Sequence, residues 1–173
     1  AASDVYKRQG MVEGFEELNG ELIKHINEIK EHNPQGTKKS NNLGWHSPDL
    51  DLKNTTVKNF FSKISPMIKE VSEDMCWNLS GFQVKVTSCW SIINQKFASN
   101  AGHIHANSLI SSAYYIDVGK DCGKIIFDDP RPGATIKKAS YASVGNWNQG
   151  NVTVEPQTGL LVMFPSYLVH HVQ

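Results

Sequence analysis

Two histidine groups define the chemistry this chain could do: His103-Ile104-His105 and, much later, His170-His171. Neutral imidazole is the commonest side-chain ligand for iron, zinc and copper. On an extended chain, residues i and i+2 point to the same face, so His103 and His105 can grip one ion together. A third imidazole from a distant strand completes a facial set and leaves positions open for substrate and oxygen. His170 and His171 point to opposite faces by the same alternation. We read His170 as the inward member and His171 as solvent-facing. Either group alone would read as ordinary surface or core histidines, and only the two together point to a metal.

The remaining composition excludes several other chemistries. Cys76, Cys89 and Cys122 are widely spaced and odd in number, with no CxxC pair, which argues against a disulfide framework or a thiolate zinc site. They read as reduced core residues, compatible with a reducing cytoplasm and an Fe(II) site. Formal net charge is zero, so no basic field draws nucleic acid. Apolar runs such as Gly159–Phe164 are too short to cross a bilayer, and the first residues lack the apolar core of a signal peptide. A cytoplasmic location follows as the expectation. The glycines form no phosphate-binding loop, and no Ser-His-Asp order suggests a hydrolase.

The elements that must position the histidines follow from apolar periodicity. At 173 residues one domain is expected. The opening Ala1–Gln9 has no initiator Met and resembles translated adapter read-through, so residues 1–10 are set apart as a non-native leader and 11–173 as the domain. The chain stops at Gln173 inside an apolar-alternating stretch, and we expect it to be truncated there. Val12, Phe15, Leu18, Leu22, Ile26 and Ile29 predict an amphipathic helix from Met11 to His32, ended by Pro34-Gln35-Gly36. Residues 34–54 read as an irregular connection. Val57, Phe60, Phe61, Ile64, Met67, Ile68, Val71 and Met75 predict a second helical stretch, with Pro66 marking a kink or a break into two shorter helices.

After Gly81 the period becomes two. Phe82, Val84 and Val86, then Cys89, Trp90, Ile92 and Ile93, predict one or two strands. Ser108–Val118 and Lys124–Phe127 follow, the latter running into the turn signal Asp128–Gly133. Val152–Val154, Leu160–Phe164 and Leu168–Val172 finish the chain. Lys137-Lys138 and Asn146–Asn151 read as loop. Helices first and short strands afterwards predict an α+β fold, a β sandwich or barrel with helices packed against it.

On these residues the chain resembles the 2-oxoglutarate/Fe(II)-dependent dioxygenases, and among them an uncharacterised group from bacteria and marine phages. The resemblance is carried by His103-Ile-His105-Ala-Asn-Ser108-Leu-Ile-Ser-Ser-Ala-Tyr114-Tyr115 and by Gly159-Leu-Leu-Val-Met-Phe164-Pro165-Ser166-Tyr-Leu-Val-His170-His171-Val172. Asp129-Pro130-Arg131 and Ser40–Ser47 add to it, so that it spans about residues 11–173. It implies a double-stranded β-helix (jelly-roll, cupin-like) core. It also implies Fe(II) held by His103, His105 and His170 as the catalytic metal ligands, with 2-oxoglutarate as co-substrate. One departure stands out: relatives of known chemistry mostly use His-x-Asp or His-x-Glu, and here the second ligand position is His105. Asp128 or Asp129 could restore the missing negative charge. Pairing His105 with Asn107 is disfavoured because an amide is a poor ligand.

Tyr115, as the second Tyr of the pair, is nominated to hold the far carboxylate of 2-oxoglutarate. Ser111 shares its strand face, and Asn94 on the preceding strand is a third candidate. The cation that similar enzymes place about ten residues after the distal histidine is expected beyond Gln173. The activity implied is hydroxylation of an unidentified small-molecule or protein side-chain substrate by O2, with release of succinate and CO2. Two rivals remain: a three-histidine cupin-type dioxygenase that does not use 2-oxoglutarate, and a non-enzymatic jelly-roll binding module. Trp45 and His46 either reach over the barrel mouth or pin the long connection to the core.

Overall fold

The computed structural model describes residues 7–131, 136, 140–143, 145 and 150–173. Two larger antiparallel sheets dominate the fold: a pair of helices covers one, and the other carries His103 and His170. Helix α1 (Phe15–His32) buries Leu18, Leu22 and Ile26 along one stripe, with Glu16 and Glu17 in its first turn and Lys30 and His32 in its last, as the helix dipole favours. Asn54 caps α2 (Thr55–Asp74), its side chain accepting from the Thr56 and Val57 amides. Pro66 does not divide this helix, which runs unbroken from Thr55 to Asp74. Proline has no N–H to give the carbonyl four residues back. Here that carbonyl, on Ser62, accepts instead from the Ser65 hydroxyl at 2.8 Å.

The first sheet runs β1 (Arg8–Met11), β9 (Leu160–Pro165), β6 (Ile110–Tyr114), with β9 in the middle. All six residues of β9 are buried, because both of its faces are covered. Leu161 and Met163 pack with Leu18, Leu22, Ile26, Phe60 and Ile64 of the helices. Leu160, Val162 and Phe164 pack the other way, with Ile125, Phe127, Val154 and Leu168. The pairing of β1 begins at Arg8, inside the stretch set apart at sequence level. Arg8, Gln9 and Gly10 lie opposite Met163, Val162 and Leu161, so they occupy an edge that β9 would otherwise expose.

The second sheet has the order β2 (Asn41–Asn42), β5 (Ser99–His103), β10 (His170–Val172), β7 (Ile125–Asp128), β8 (Asn151–Val154). A short ribbon, β3 (Trp45–His46) with β4 (Ile92–Ile93), completes the strands among the described residues. Every pairing is antiparallel. Two helices with antiparallel sheets match the coarse α+β expectation, but the order is not helices first: β1 precedes α1, and β2 and β3 lie between α1 and α2.

The strands expected over Phe82–Val86 and Cys89–Trp90 do not form. Only Ile92–Ile93 pairs, and Phe82 and Val84 are 75% and 50% exposed. Alternation supplies an apolar face, but a strand also needs a neighbour in register for its N–H and C=O groups. Trp45–His46 provides one for two residues. The cysteines are free, as expected, but they are not core: Cys76 is exposed, and Cys89 and Cys122 are partly buried. Lys137, Lys138 and Asn146–Gln149 of the expected loop lie outside the described residues. No described helix is long and apolar enough to cross a membrane.

Candidate metal centre

β5 ends at His103 and β10 begins at His170, and the two residues face each other in register. His170 also lies opposite Phe127 of β7, so it is central in its sheet and 5% exposed. The chain turns just after β5, and the His105 amide donates to the Ser166 carbonyl at 3.0 Å. Ser166 in turn donates its own amide to Leu109 at 3.1 Å. The histidine loop and the Phe-Pro-Ser turn are therefore fastened to each other. The three imidazoles meet at this junction, with ring centroids 4.4 Å (His103–His170), 5.0 Å (His103–His105) and 5.0 Å (His105–His170) apart. One potential ligand atom from each lies within 4.8 Å of the others.

Two of the rings are oriented in the same way. The Nδ1 of His103 is 2.8 Å from the Ala101 carbonyl, and that of His170 is 2.9 Å from the Leu168 carbonyl. In each case the partner is the carbonyl two residues upstream. A hydrogen bond donated from Nδ1 to a carbonyl fixes the tautomer and leaves Nε2 as the lone-pair atom, the usual state of a metal-ligating histidine. Burial pushes the His170 pKa down to about 4, and burial with the neighbouring His103 lowers that of His105. These two rings are neutral at neutral pH, the form that binds a metal ion. Phe164 and Phe127 wall the site, with centroids 4.7 and 6.0 Å from His170.

Ser111 and Tyr115 face this junction. Ser111 lies opposite Phe164 and Ala113 opposite Val162, while the Tyr115 amide donates to the Leu160 carbonyl. Cross-strand partners share a face, and this is the face of β9 that packs toward His170. The Ser111 and Ser166 hydroxyls are 2.8 Å apart. Burial pushes the Tyr115 phenol up to about 12, and its hydroxyl makes no hydrogen bond among the described residues. Asn94 borders the same groove as His105, Ser111 and Tyr115, but its amide is engaged elsewhere. It donates to the Asn100 side chain at 2.8 Å, and its oxygen sits where a Cβ on Gly44 would be.

No described carboxylate joins the three imidazoles. Asp128 lies 4.0 Å from His171, the neighbour that points the other way. The Asp129 side chain is buried, and Arg131 binds it through Nε and Nη2. Hydrogen bonding from Arg131 holds the Asp129 carboxyl well below its usual range, at about 2. A depressed folded-state pKa adds stability that is present above the unfolded value near 4 and is lost as pH falls through about 2. Asp129→Asn should flatten the stability profile between pH 4 and pH 2, measured by urea unfolding. An unchanged acid slope would show that this carboxylate is not tuned by Arg131.

Trp45 pins the connection. It is buried in the helix-facing core, and its indole N–H donates to the Asn33 carbonyl at the end of α1 at 3.0 Å. The sequence reading missed Trp90, Phe127, Phe164 and Ser166 as neighbours of the site. Phe164 and Ser166 stand in the distal motif itself, which was the available signal. For Trp90 the alternating run pointed only to a strand.

Residues 88–173 match the family model described as "Putative 2OG-Fe(II) oxygenase". No curated protein sequence matches the chain. Among solved structures, the crystal structure of a Pseudomonas putida prolyl-4-hydroxylase is similar in fold, with a TM-score of 0.67. That match covers 98% of this chain and 85% of the other at 13% sequence identity.

Proposed function

Residues 88–173 place this chain in the 2-oxoglutarate/Fe(II) oxygenase superfamily, and we propose that it is a hydroxylase whose iron is held by His103, His105 and His170. The observation that carries the reading is the meeting of three imidazoles at the β5–β10 junction, with a ligand atom from each inside 4.8 Å. The donor set fits the metal: all nitrogen, two rings with their Nδ1 atoms tied to carbonyls, and two with lowered pKa values. When bound, iron with 2-oxoglutarate supplies the chemistry that inserts one atom of O2 into a substrate C–H bond and converts the co-substrate to succinate and CO2.

The chain's own residues do the rest. His170, fixed by Leu168 and packed on Phe164, sets the position of the centre. Phe127 and Phe164 keep water from one side of it. Ser111 and Tyr115 line the adjoining strand face, where the phenol can donate to a carboxylate of 2-oxoglutarate. Asn94 is assigned to the more distant wall, where it also braces Asn100. The two larger sheets correspond on this reading to the two faces of a jelly-roll spanning residues 11–173, with β1 extending one of them. A reducing cytoplasm suits both Fe(II) and three free thiols. The substrate is a small molecule or a protein side chain presenting an unactivated C–H bond.

A second reading draws on one specific observation, the absence of a carboxylate from the imidazole set among the described residues. It is a three-histidine dioxygenase that does not consume 2-oxoglutarate. The two readings are separated by loading the protein anaerobically with Fe(II), adding 2-oxoglutarate and O2, and quantifying succinate. Iron-dependent succinate above the metal-free control supports the hydroxylase. Iron binding with 2-oxoglutarate left intact, across a panel of candidate substrates, would replace it with the second reading.

A further inference from the structure

His103 and His170 are each oriented by the carbonyl two residues upstream, whereas His105 has no such partner. The residue two before it is His103 itself, and among the described residues the His105 ring makes no hydrogen bond. Among the described residues, its one aromatic neighbour outside the histidine set is Trp90, with centroids 5.4 Å apart and planes at 50°. We propose that Trp90 is a positioning residue, its indole holding the His105 imidazole in the ligating orientation that hydrogen bonds provide for the other two. The proposal rests on the reading of the three histidines as metal ligands.

Trp90 is itself held on both sides. His46 stacks on it at 5.7 Å and 14°, and His46 is 6% exposed with its Nδ1 2.6 Å from the Ser47 carbonyl. The backbone around Trp90 is anchored at each neighbour. The Leu50 amide donates to the Cys89 carbonyl at 2.7 Å, the Ser47 amide to the Ser91 carbonyl at 2.9 Å, and the Ser91 amide to the Ser47 hydroxyl at 2.9 Å. A file of rings thus runs from His46 through Trp90 to His105 and on to His103 and His170. His105 is only partly buried and borders the open groove, so without the indole its side chain is free to rotate away from the other two nitrogens. Hydrogen-bonded partners that orient metal-ligating histidines typically change metal affinity by about 10- to 100-fold, and here packing against the indole takes that role.

The test titrates Co(II) alone into the full chain, following binding by calorimetry and by the visible absorption of the ion, which reports the ligand set. Trp90→Leu should weaken Co(II) binding at least about tenfold and shift the spectrum toward that of His105→Ala. In a His105→Ala background, Trp90→Leu should have no further effect, because the ligand it positions is gone. Trp90→Phe, which keeps a ring, should recover most of the affinity. Wild-type binding by Trp90→Leu would overturn the proposal, and so would an equal loss in both backgrounds, the mark of a general folding defect. Should Trp90→Leu fail to fold, His46→Leu takes its place in the same cycle, with the same expected and overturning outcomes. If the wild-type chain binds no Co(II), the metal reading fails, and the Trp90 proposal falls with it.

Discussion

His170→Ala is expected to take the metal content from about one ion per chain to background and iron-dependent succinate with it. The residue sits where three things coincide. It lies opposite His103 on one side and Phe127 on the other, it is the most buried of the three imidazoles, and its ring contacts Phe164. A facial site that keeps two of its three ligands loses the chelation that makes divalent-ion binding tight. The change also leaves a void beside two phenylalanines, so the apoprotein should lose on the order of 1–3 kcal/mol of stability. His171→Ala is the matched control. Its side chain points away from the cluster toward Asp128, in a surface pair worth little, and its effect on stability should stay within about 0.5 kcal/mol. Metal analysis of the two purified variants decides the matter: full iron occupancy in His170→Ala would remove the site assignment.

Gly159→Ala is expected to cost about 2–4 kcal/mol of stability, a large effect for a single added methyl. Gly159 has φ +85, a region that costs any residue with a Cβ, and a Cβ there would fall within 2.8 Å of three ring carbons of Phe15. Its backbone is also fully used: its amide donates to the Tyr115 carbonyl at 2.7 Å, and its carbonyl accepts from Val12 at 2.9 Å. The glycine therefore fastens the start of β9 to the end of β6 and to the chain entering α1. Phe15 cannot retreat without giving up its place against the helix-side core. Urea denaturation measures the loss. Combining Gly159→Ala with Phe15→Ala should recover the steric part and leave the backbone part, so the pair should be clearly non-additive. Additive losses would show that the ring is not the obstacle.

What was legible in the sequence was mostly what a single segment can specify. The stripe Leu18, Leu22, Ile26 and the group Phe60, Ile64, Val71 mark faces that are buried in both helices. The i, i+2 spacing of His103 and His105, with His170 rather than His171 inward, places the same three rings that the fold gathers. Tyr115 and Ser111 share a face through plain alternation, and that face is the one toward His170. The failures involve a second segment, apart from that at Pro66, which is local. Pro66 stays inside its helix because a neighbouring serine takes the orphaned carbonyl. Phe82–Val86 alternates correctly but finds no strand to pair with. Arg8–Gly10 has no apolar signature and still pairs, because β9 offers an edge. Trp90 could not be assigned to the site from sequence, since nothing local connects it to His105 or to His46.

The register of His103 against His170 also fixes when during synthesis the centre can exist. β5 leaves the ribosome long before β10, and β7 and β8 are made in between. Until His170 has emerged, the nascent chain can offer only the two early imidazoles, and β5 has no β10 to pair with. β10, made after both of its neighbours, is thus the strand that brings together β5 and β7, which it separates in the finished sheet. On the proposed reading of the three histidines as iron ligands, the complete donor set therefore forms only after β10 has been made and has paired with β5.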